Sequence, residues 1–185
     1  MPINFGQQSV YVDDPDNMDV TSLYAPGHLG NRFATNIPLR TSPTGPVAVA
    51  GASRPMQIVQ VDSSLTTSPT RGSVMLWKDK AKYIVTPKVV NAINRNEVAG
   101  ILPGTATAGN YTCVQYKGPQ FVQVTAADAA AFVSGDSLIP SAAEDGRASR
   151  VAAGTAPTYT KIGTATGPVV GGNLVLTDLC IPETT

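Results

Sequence analysis

Polar and apolar residues alternate along much of the chain after residue 45, with the period of two that is typical of β-strands. Residues 56–61 follow this alternation, and residues 74–85 form a longer run that predicts one extended strand. In such a strand, successive side chains point to opposite faces. The face that we expect in the core comprises Met75, Trp77, Ala81, Tyr83 and Val85. The opposite face comprises Leu76, Lys78, Lys80, Lys82 and Ile84.

Shorter segments after residue 96 predict the remaining strands, because each is bounded by residues that favour turns. Residues 111–116 and 121–124 predict a hairpin whose turn is residues 117–120. Asp145 and Gly146 predict the turn of a second hairpin. The other predicted strands are residues 97–102, 136–140, 150–152, 159–166 and 173–179.

A short helix is predicted over residues 126–133, which are mostly good helix formers. Thr125 is suited to cap its start, and Asp128 falls where the helix dipole favours an acid. Gly135 supplies the stop. A helix of about two turns depends on packing against the rest of the domain for its stability.

The first 45 residues differ from the rest, because their apolar residues are scattered singly among Pro, Gly, Asn and Asp. Such a segment buries too little apolar area to order itself, so we predict an extended N-terminal arm that becomes ordered on assembly. The alternative is a tail without fixed structure. Tyr11, Tyr24 and Phe33 are the aromatic side chains that we expect to anchor the arm on a neighbouring subunit.

These patterns together predict a mainly β fold. We expect a small barrel-like or tulip-like β domain, or a sandwich, of about eight short strands with one short helix. The predicted organisation is an N-terminal arm at residues 1–45 and a β-barrel-like domain at residues 46–185.

Charge is sparse and balanced in this chain. Charged residues make up 14% of the 185 residues, with 13 basic and 13 acidic side chains and a formal net charge of zero. A general nucleic-acid partner is not expected, because phosphate binding needs an excess of Lys and Arg. The sequence also shows neither a secretory signal nor an apolar stretch that could span a membrane, so we expect synthesis in a cytoplasm.

Candidate chemistry is limited in the sequence. His28 is the single histidine and lies far along the chain from Cys113 and Cys180, which we expect to be buried small hydrophobes rather than a disulfide. Metal, nucleophile-elbow and phosphate-loop motifs do not occur, and most acids fall at turn signals or at the helix start. We therefore predict that the chain is not an enzyme and has no catalytic residues, metal or cofactor.

Lys78, Lys80 and Lys82 form the most specific charge feature. Lysines on an exposed edge strand discourage edge-to-edge pairing. The functional alternative is a basic ridge that meets acidic groups on a partner. The sequence leaves both interpretations open.

Five segments, taken in order, resemble the decoration or cement proteins of tailed-bacteriophage heads. Each is a short strand bounded by glycine, and their order and spacing over residues 55–180 carry the resemblance. The segments are residues 71–86 (RGSVMLWKDKAKYIVT), 96–102 (NEVAGIL), 109–115 (GNYTCVQ) with Lys117 and Gly118, 134–140 (SGDSLIP) and 161–165 (KIGTA).

The resemblance implies a small β-barrel-like domain, a homotrimer, that binds the outer surface of the capsid. There it would bridge adjacent copies of the major capsid protein and stabilise the shell. Two alternatives remain open: another virion component of the head–tail junction or tail, and a carbohydrate-binding β-sandwich. The latter would need an exposed aromatic platform, for which Trp77 and Tyr83 are the candidate pair.

Overall fold

The computed structural model describes residues 4–5, 8–9, 29–36, 38–40, 46–90 and 94–182. Among these residues it contains short strands, a single-turn helix α1 (Ala126–Ala129) and a 3₁₀ helix (Asn94–Asn96). The first strands are β1 (Asn4–Phe5), β2 (Gln8–Ser9), β3 (Arg32–Thr35), β4 (Leu39–Arg40), β5 (Val47–Val49), β6 (Arg54–Val61), β7 (Val74–Asp79) and β8 (Ile84–Thr86). The later strands are β9 (Val98–Ile101), β10 (Tyr111–Gln115), β11 (Lys117–Gln123), β12 (Ser137–Pro140), β13 (Ala148–Val151), β14 (Gly163–Val170) and β15 (Leu174–Cys180).

The larger described sheet closes on itself around β6. Its strand order is β10-β9-β7-β8-β6-β3, and β10 also pairs with β6, so β6, β10, β9, β7 and β8 form a barrel. β6 is antiparallel to β10 and parallel to β8. β3 lies outside this ring, antiparallel to the first half of β6.

A second described sheet has the order β11-β15-β14-β12-β13 and is antiparallel throughout. A parallel bridge between Val124 and Ala148 brings its two edge strands together. Two small pairs, β1 with β2 and β4 with β5, complete the described ladders. No helix among the described residues has the length and apolar character needed to cross a membrane.

β7 is buried on both of its faces and joins two apolar clusters. Met75 and Trp77 belong to the cluster around Val59, while Val74 and Leu76 belong to the cluster around Val122. The expectation of a single core face is therefore incomplete, because the face containing Leu76 packs as well. The prediction of a mainly β barrel domain is confirmed.

The predicted extended strand at residues 74–85 is wrong, because this segment is the hairpin β7–β8. The chain turns after Asp79, where the Asp79 carboxylate accepts a hydrogen bond from the Lys82 amide, and Tyr83 has a left-handed φ of 54°. Trp77 is the cross-strand partner of Val85, so both stay on the core face. Alternation alone could not reveal the turn, because the polar and apolar positions continue through it.

The predicted hairpin at residues 111–124 is also wrong. β10 pairs with β6 and β9, whereas β11 pairs with β15, so the chain passes between the two sheets. Gly118 makes this crossing possible: it has a φ of 79°, and a Cβ built on it would lie 2.5 Å from the Ser53 carbonyl oxygen. Residues 117–120 are therefore part of a strand rather than a turn.

The helix begins as predicted and ends earlier. The Thr125 hydroxyl accepts a hydrogen bond from the Asp128 amide, which confirms the cap. The Val133 amide donates to the Asp136 carboxylate instead of continuing a helical ladder. Tertiary contacts therefore replace the predicted second turn.

Another boundary shifts at the predicted strand 159–166. The Arg95 guanidinium lies 3.6 Å from the centre of the Tyr159 ring, and both the amide and the hydroxyl of Thr160 are hydrogen-bonded to Asn96. These contacts tie the segment to the 3₁₀ helix, so β14 begins at Gly163. By contrast, the hairpin predicted from Asp145 and Gly146 is confirmed by the β12–β13 ladder.

Part of the N-terminal segment lies in the sheet. Residues 32–35 pair with β6, with Phe33 opposite Met56. This stretch is therefore a strand of the sheet, although the scattered apolar residues of the first 45 positions did not predict one. The division into an arm at 1–45 and a domain at 46–185 stays a prediction.

Candidate interaction surface

The residues that we predicted to contact a partner fall in different places. Tyr11 and Tyr24 lie outside the described residues, as does His28. Phe33 is half-buried in β3, and Lys78, Lys80 and Lys82 are exposed around the end of β7 and the turn that follows. Their roles at an interface stay predictions.

The three lysines do not form one row along a strand, so the predicted stripe is wrong. Lys78 lies in β7, whereas Lys80 and Lys82 lie in the turn. The Lys78 ammonium is 2.7 Å from an Asp62 carboxylate oxygen, and that of Lys82 is 3.2 Å from Asp79. Because these acids pair with two of the three lysines, they offset much of the positive charge of the expected basic ridge.

Asp62 is held ionised by its neighbours. Burial opposes its charge, but hydrogen bonds from Lys78 and from the amide and hydroxyl of Ser64 outweigh that cost. The pKa of Asp62 consequently lies below its ordinary value. This acid serves to position Lys78 at the edge of the barrel.

A second buried acid has a structural role in the other sheet. The Asp136 side chain is 0% exposed, and the Arg150 guanidinium donates to it at 2.6 Å. The Val133 and Ala153 amides also donate to it. The hydrogen bond from Arg150 is the main reason why the pKa of Asp136 is lowered, and it outweighs burial.

Other acids are also used locally. Asp128 accepts hydrogen bonds from the Thr125 hydroxyl and the Arg150 amide. Glu144 forms an ion pair with Arg147. Asp145 accepts a hydrogen bond from the Val89 amide. Within the described part of the chain, no group of three or more His, Cys, Asp or Glu side chains is placed to hold a metal ion.

A cleft of about 570 Å³ opens between β3 and the β7–β8 turn. Two cationic residues, Arg32 and Lys80, both line this cleft, although they are far apart in sequence. Its lining residues are Gly30, Arg32, Gln57, Trp77, Lys80, Ala81 and Tyr83. The sequence alone does not reveal this cleft, because only the pairing of β3 with β6 brings Arg32 to the turn.

Trp77 and Tyr83 form the inner wall of the cleft. Their ring centres are 6.2 Å apart in an edge-to-face arrangement, and Trp77 is 4% exposed. The Tyr83 ring lies so close to Gly30 that a Cβ there would overlap it. As expected from the alternation, the pair offers no exposed platform for stacking a sugar ring.

The two cysteines have different surroundings. Cys113 is buried with its Sγ 3.6 Å from the sulfur of Met56, whereas Cys180 is exposed. Neither cysteine is in a disulfide, and the expectation of burial is wrong for Cys180, because it ends β15 with its side chain on the outer face.

Comparisons with known proteins do not identify a family for this chain. No protein-family model and no curated protein matches the chain. Among solved structures it is similar to the crystal structure of the head fiber gp8.5 N base in bacteriophage phi29, with 14% identity and a TM-score of 0.45. The match covers 70% of this chain and 98% of that one. A likeness this distant carries no argument about function.

Proposed function

We propose that this chain is a virion structural protein that binds the outer surface of a phage capsid and stabilises it by bridging adjacent capsid subunits. Its partners would be the major capsid protein and further copies of itself. In this proposal it has no catalytic centre and needs no cofactor.

The observation that supports the proposal is the position in the fold of the five segments that resemble decoration proteins. Residues 71–86 contain β7 and β8, residues 96–102 contain β9, and residues 109–118 span the crossing from β10 to β11. Residues 134–140 and 161–165 contain β12 and the start of β14. The segments that resemble decoration proteins thus build both sheets and their connection.

We expect the two sheets to act as a stiff unit, because β7 contributes side chains to both apolar clusters. A stiff unit loses little conformational entropy when it docks on a shell. Buried apolar area then stabilises the shell by roughly 25 cal/mol per Å² before association costs are subtracted. Several copies acting together would convert weak contacts into high avidity.

The test is the amount of this protein in purified particles. We expect a constant, high copy number, proportional to that of the major capsid protein, in quantitative mass spectrometry of gradient-purified particles. Shells stripped of the protein should lose DNA or collapse at a lower temperature, and adding the protein back should restore them.

Two outcomes would contradict this function. Absence from purified particles would remove the virion role altogether. A copy number of a few per particle would point instead to a component of the head–tail junction or tail.

A further inference from the structure

We propose that β3 is an exchangeable strand, which in the homotrimer completes the sheet of a neighbouring copy instead of its own. The part of each chain that precedes β6 would cross to the next copy and carry β3 with it. This inference rests on the self-association in the proposed function and names the segment that mediates it. The partner is a second copy of this chain.

One edge of β6 needs a strand beside its first half. β8 pairs with this edge at Gln60 and Val61, and β3 covers residues 54–57. Just before β3, the Asn31 carbonyl oxygen accepts a hydrogen bond from the Ile58 amide. Ile58 is 0% exposed. Because unpaired backbone groups beside buried residues are costly, this edge requires a strand.

The site beside β6 is shaped for this chain's own segment. Gly30 lies against the Tyr83 ring, where a Cβ would overlap it. The Gln57 side-chain amide donates to the Gly30 carbonyl oxygen at 3.3 Å. The Arg32 guanidinium lies 5.6 Å from the centre of the Tyr116 ring. A foreign strand would have to match a glycine and a cation at these positions, so the occupant we infer is β3 of another copy.

β3 can leave without opening the barrel. The ring of β6, β10, β9, β7 and β8 closes without it. Among the described strands, β3 pairs with β6 alone, and its side chains are exposed or half-buried. The same contacts form whether the strand comes from its own chain or from a neighbour, which makes exchange a low-cost route to an oligomer.

The connection from β5 to β6 favours the exchanged form. Residues 46–52 contain only Pro, Val, Ala and Gly, and all of them except Val49 and Ala52 are exposed. The Val47 side chain is 45% exposed. An exposed apolar run of this length is unfavourable in an isolated subunit. A connection that passes between two subunits is covered on both sides, so exchange would bury this run.

Gly51 is the position where the chain can change direction. Its φ is 68°, and no atom of the described residues lies within 4 Å of the place where its Cβ would be. β6 begins three residues later, at Arg54, so a change at Gly51 redirects everything before it. Residues 36–53 join β3 to β6, and a chain of this length spans at most about 60 Å. A domain of this size is roughly 40 Å across, so the next copy is within reach.

Disulfide trapping in the full-length chain tests the exchange. Ala34 and Pro55 are opposite each other on β3 and β6. Since proline has no N–H, this pair needs no ladder bond, and such pairs have Cα atoms about 4.5 Å apart, which suits a disulfide. The double variant Ala34→Cys, Pro55→Cys is made with Cys180→Ser, which removes the exposed thiol. We expect the oxidised protein to run as a covalent trimer on a denaturing gel, and as one chain after reduction.

Pro119→Cys with Asp178→Cys, in the same Cys180→Ser background, is the matched control. These residues are opposite each other on β11 and β15, again with a proline facing an exposed residue. Both strands follow β6 in the chain and stay in one copy whether or not β3 is exchanged. The oxidised control should therefore run as one chain.

A second test separates the two thiols. Chains that carry only Ala34→Cys are refolded together with chains that carry only Pro55→Cys. Exchange alone brings one thiol of each kind together, so a disulfide-linked dimer with one chain of each kind should form. Neither variant refolded by itself should give this dimer.

Several results would overturn the exchange. A disulfide within one chain, in a protein that still has the mass of a trimer, would show that β3 stays in its own copy and would leave the self-association intact. A double variant that is monomeric in solution, or that forms no disulfide, would also refute the exchange. A covalent trimer of a protein that is absent from particles would refute the proposed function and leave the exchange intact.

Discussion

At the residue scale, the charged carboxylate of Asp136 is fully buried and is satisfied by hydrogen bonds. It receives hydrogen bonds from Arg150 and from two backbone amides, which join the start of β12 to β13 and to the loop after it. Desolvating a carboxylate is costly, so these donors must all be present for the site to be stable.

We therefore expect Asp136→Asn to lower the free energy of unfolding by about 3 kcal/mol, since it removes one member of a buried ion pair. Asp178→Asn is the control, because Asp178 is exposed on β15, and it should change stability by less than about 0.5 kcal/mol. Urea unfolding measures both. Equal effects of the two substitutions would contradict the structural role of Asp136.

The same variant reports the pH dependence of this pair. The pKa of Asp136 is lower in the folded protein than in the unfolded chain, so its stabilisation is complete above about pH 4 and is lost as the pH falls towards the folded value. The stability difference between the unchanged protein and Asp136→Asn should narrow below about pH 4. A difference that stays constant down to the acid unfolding transition would exclude this linkage.

Single residues were predictable from sequence where their partners are local. Thr125 and Asp128 are three residues apart, and the cap they form was expected. Asp136 and Arg150 are brought together by the β12–β13 hairpin, and their pairing was not expected. Lys78 and Asp62 are further apart still, so the sequence showed a bare basic stripe where the structure has an ion pair.

At the element scale, the crossing from β10 to β11 depends on Gly118. Its positive φ and its close approach to the Ser53 carbonyl oxygen both exclude a side chain. Since the crossing directs the chain from one sheet to the other, crowding there disturbs both ladders.

Gly118→Ala should destabilise the protein by about 2–3 kcal/mol through backbone strain and overlap. Gly172→Ala is a matched control, because Gly172 has nearly the same φ of 78° but open space around it, and it should cost only about 1 kcal/mol. Chemical unfolding compares the two. Equal losses of unfolding free energy in the two variants would mean that the close approach at Gly118 adds nothing to the cost of the substitution.

Strands were predicted well where periodicity and burial agree. The predicted residues 56–61, 97–102 and 173–179 correspond to Arg54–Val61, Val98–Ile101 and Leu174–Cys180. Residues 74–85 and 117–120 were predicted wrongly, because alternation records which side chains are apolar and not where the backbone turns. A turn that preserves the alternation, as at Tyr83, leaves no trace in the pattern.

At the scale of the whole molecule, the proposed function implies self-association. Low charge and a formal net charge of zero oppose association only weakly. Light scattering after size exclusion should give a mass three times the 19.2 kDa of one chain at micromolar concentration. A monomeric mass under these conditions would contradict the predicted homotrimer. The protein would then have to bind the capsid as single copies.

The sequence by itself determined the local features: a β-rich domain, its turn residues, the helix cap and the sparse, balanced charge. These depend on side-chain type and on neighbours a few positions away, which a pattern records. Only the tertiary structure decided that β3 joins the sheet, that β7 is buried on both faces, and that Arg32 and Lys80 share a cleft. Such pairings depend on packing between segments distant along the chain, and no local pattern encodes the register of those contacts.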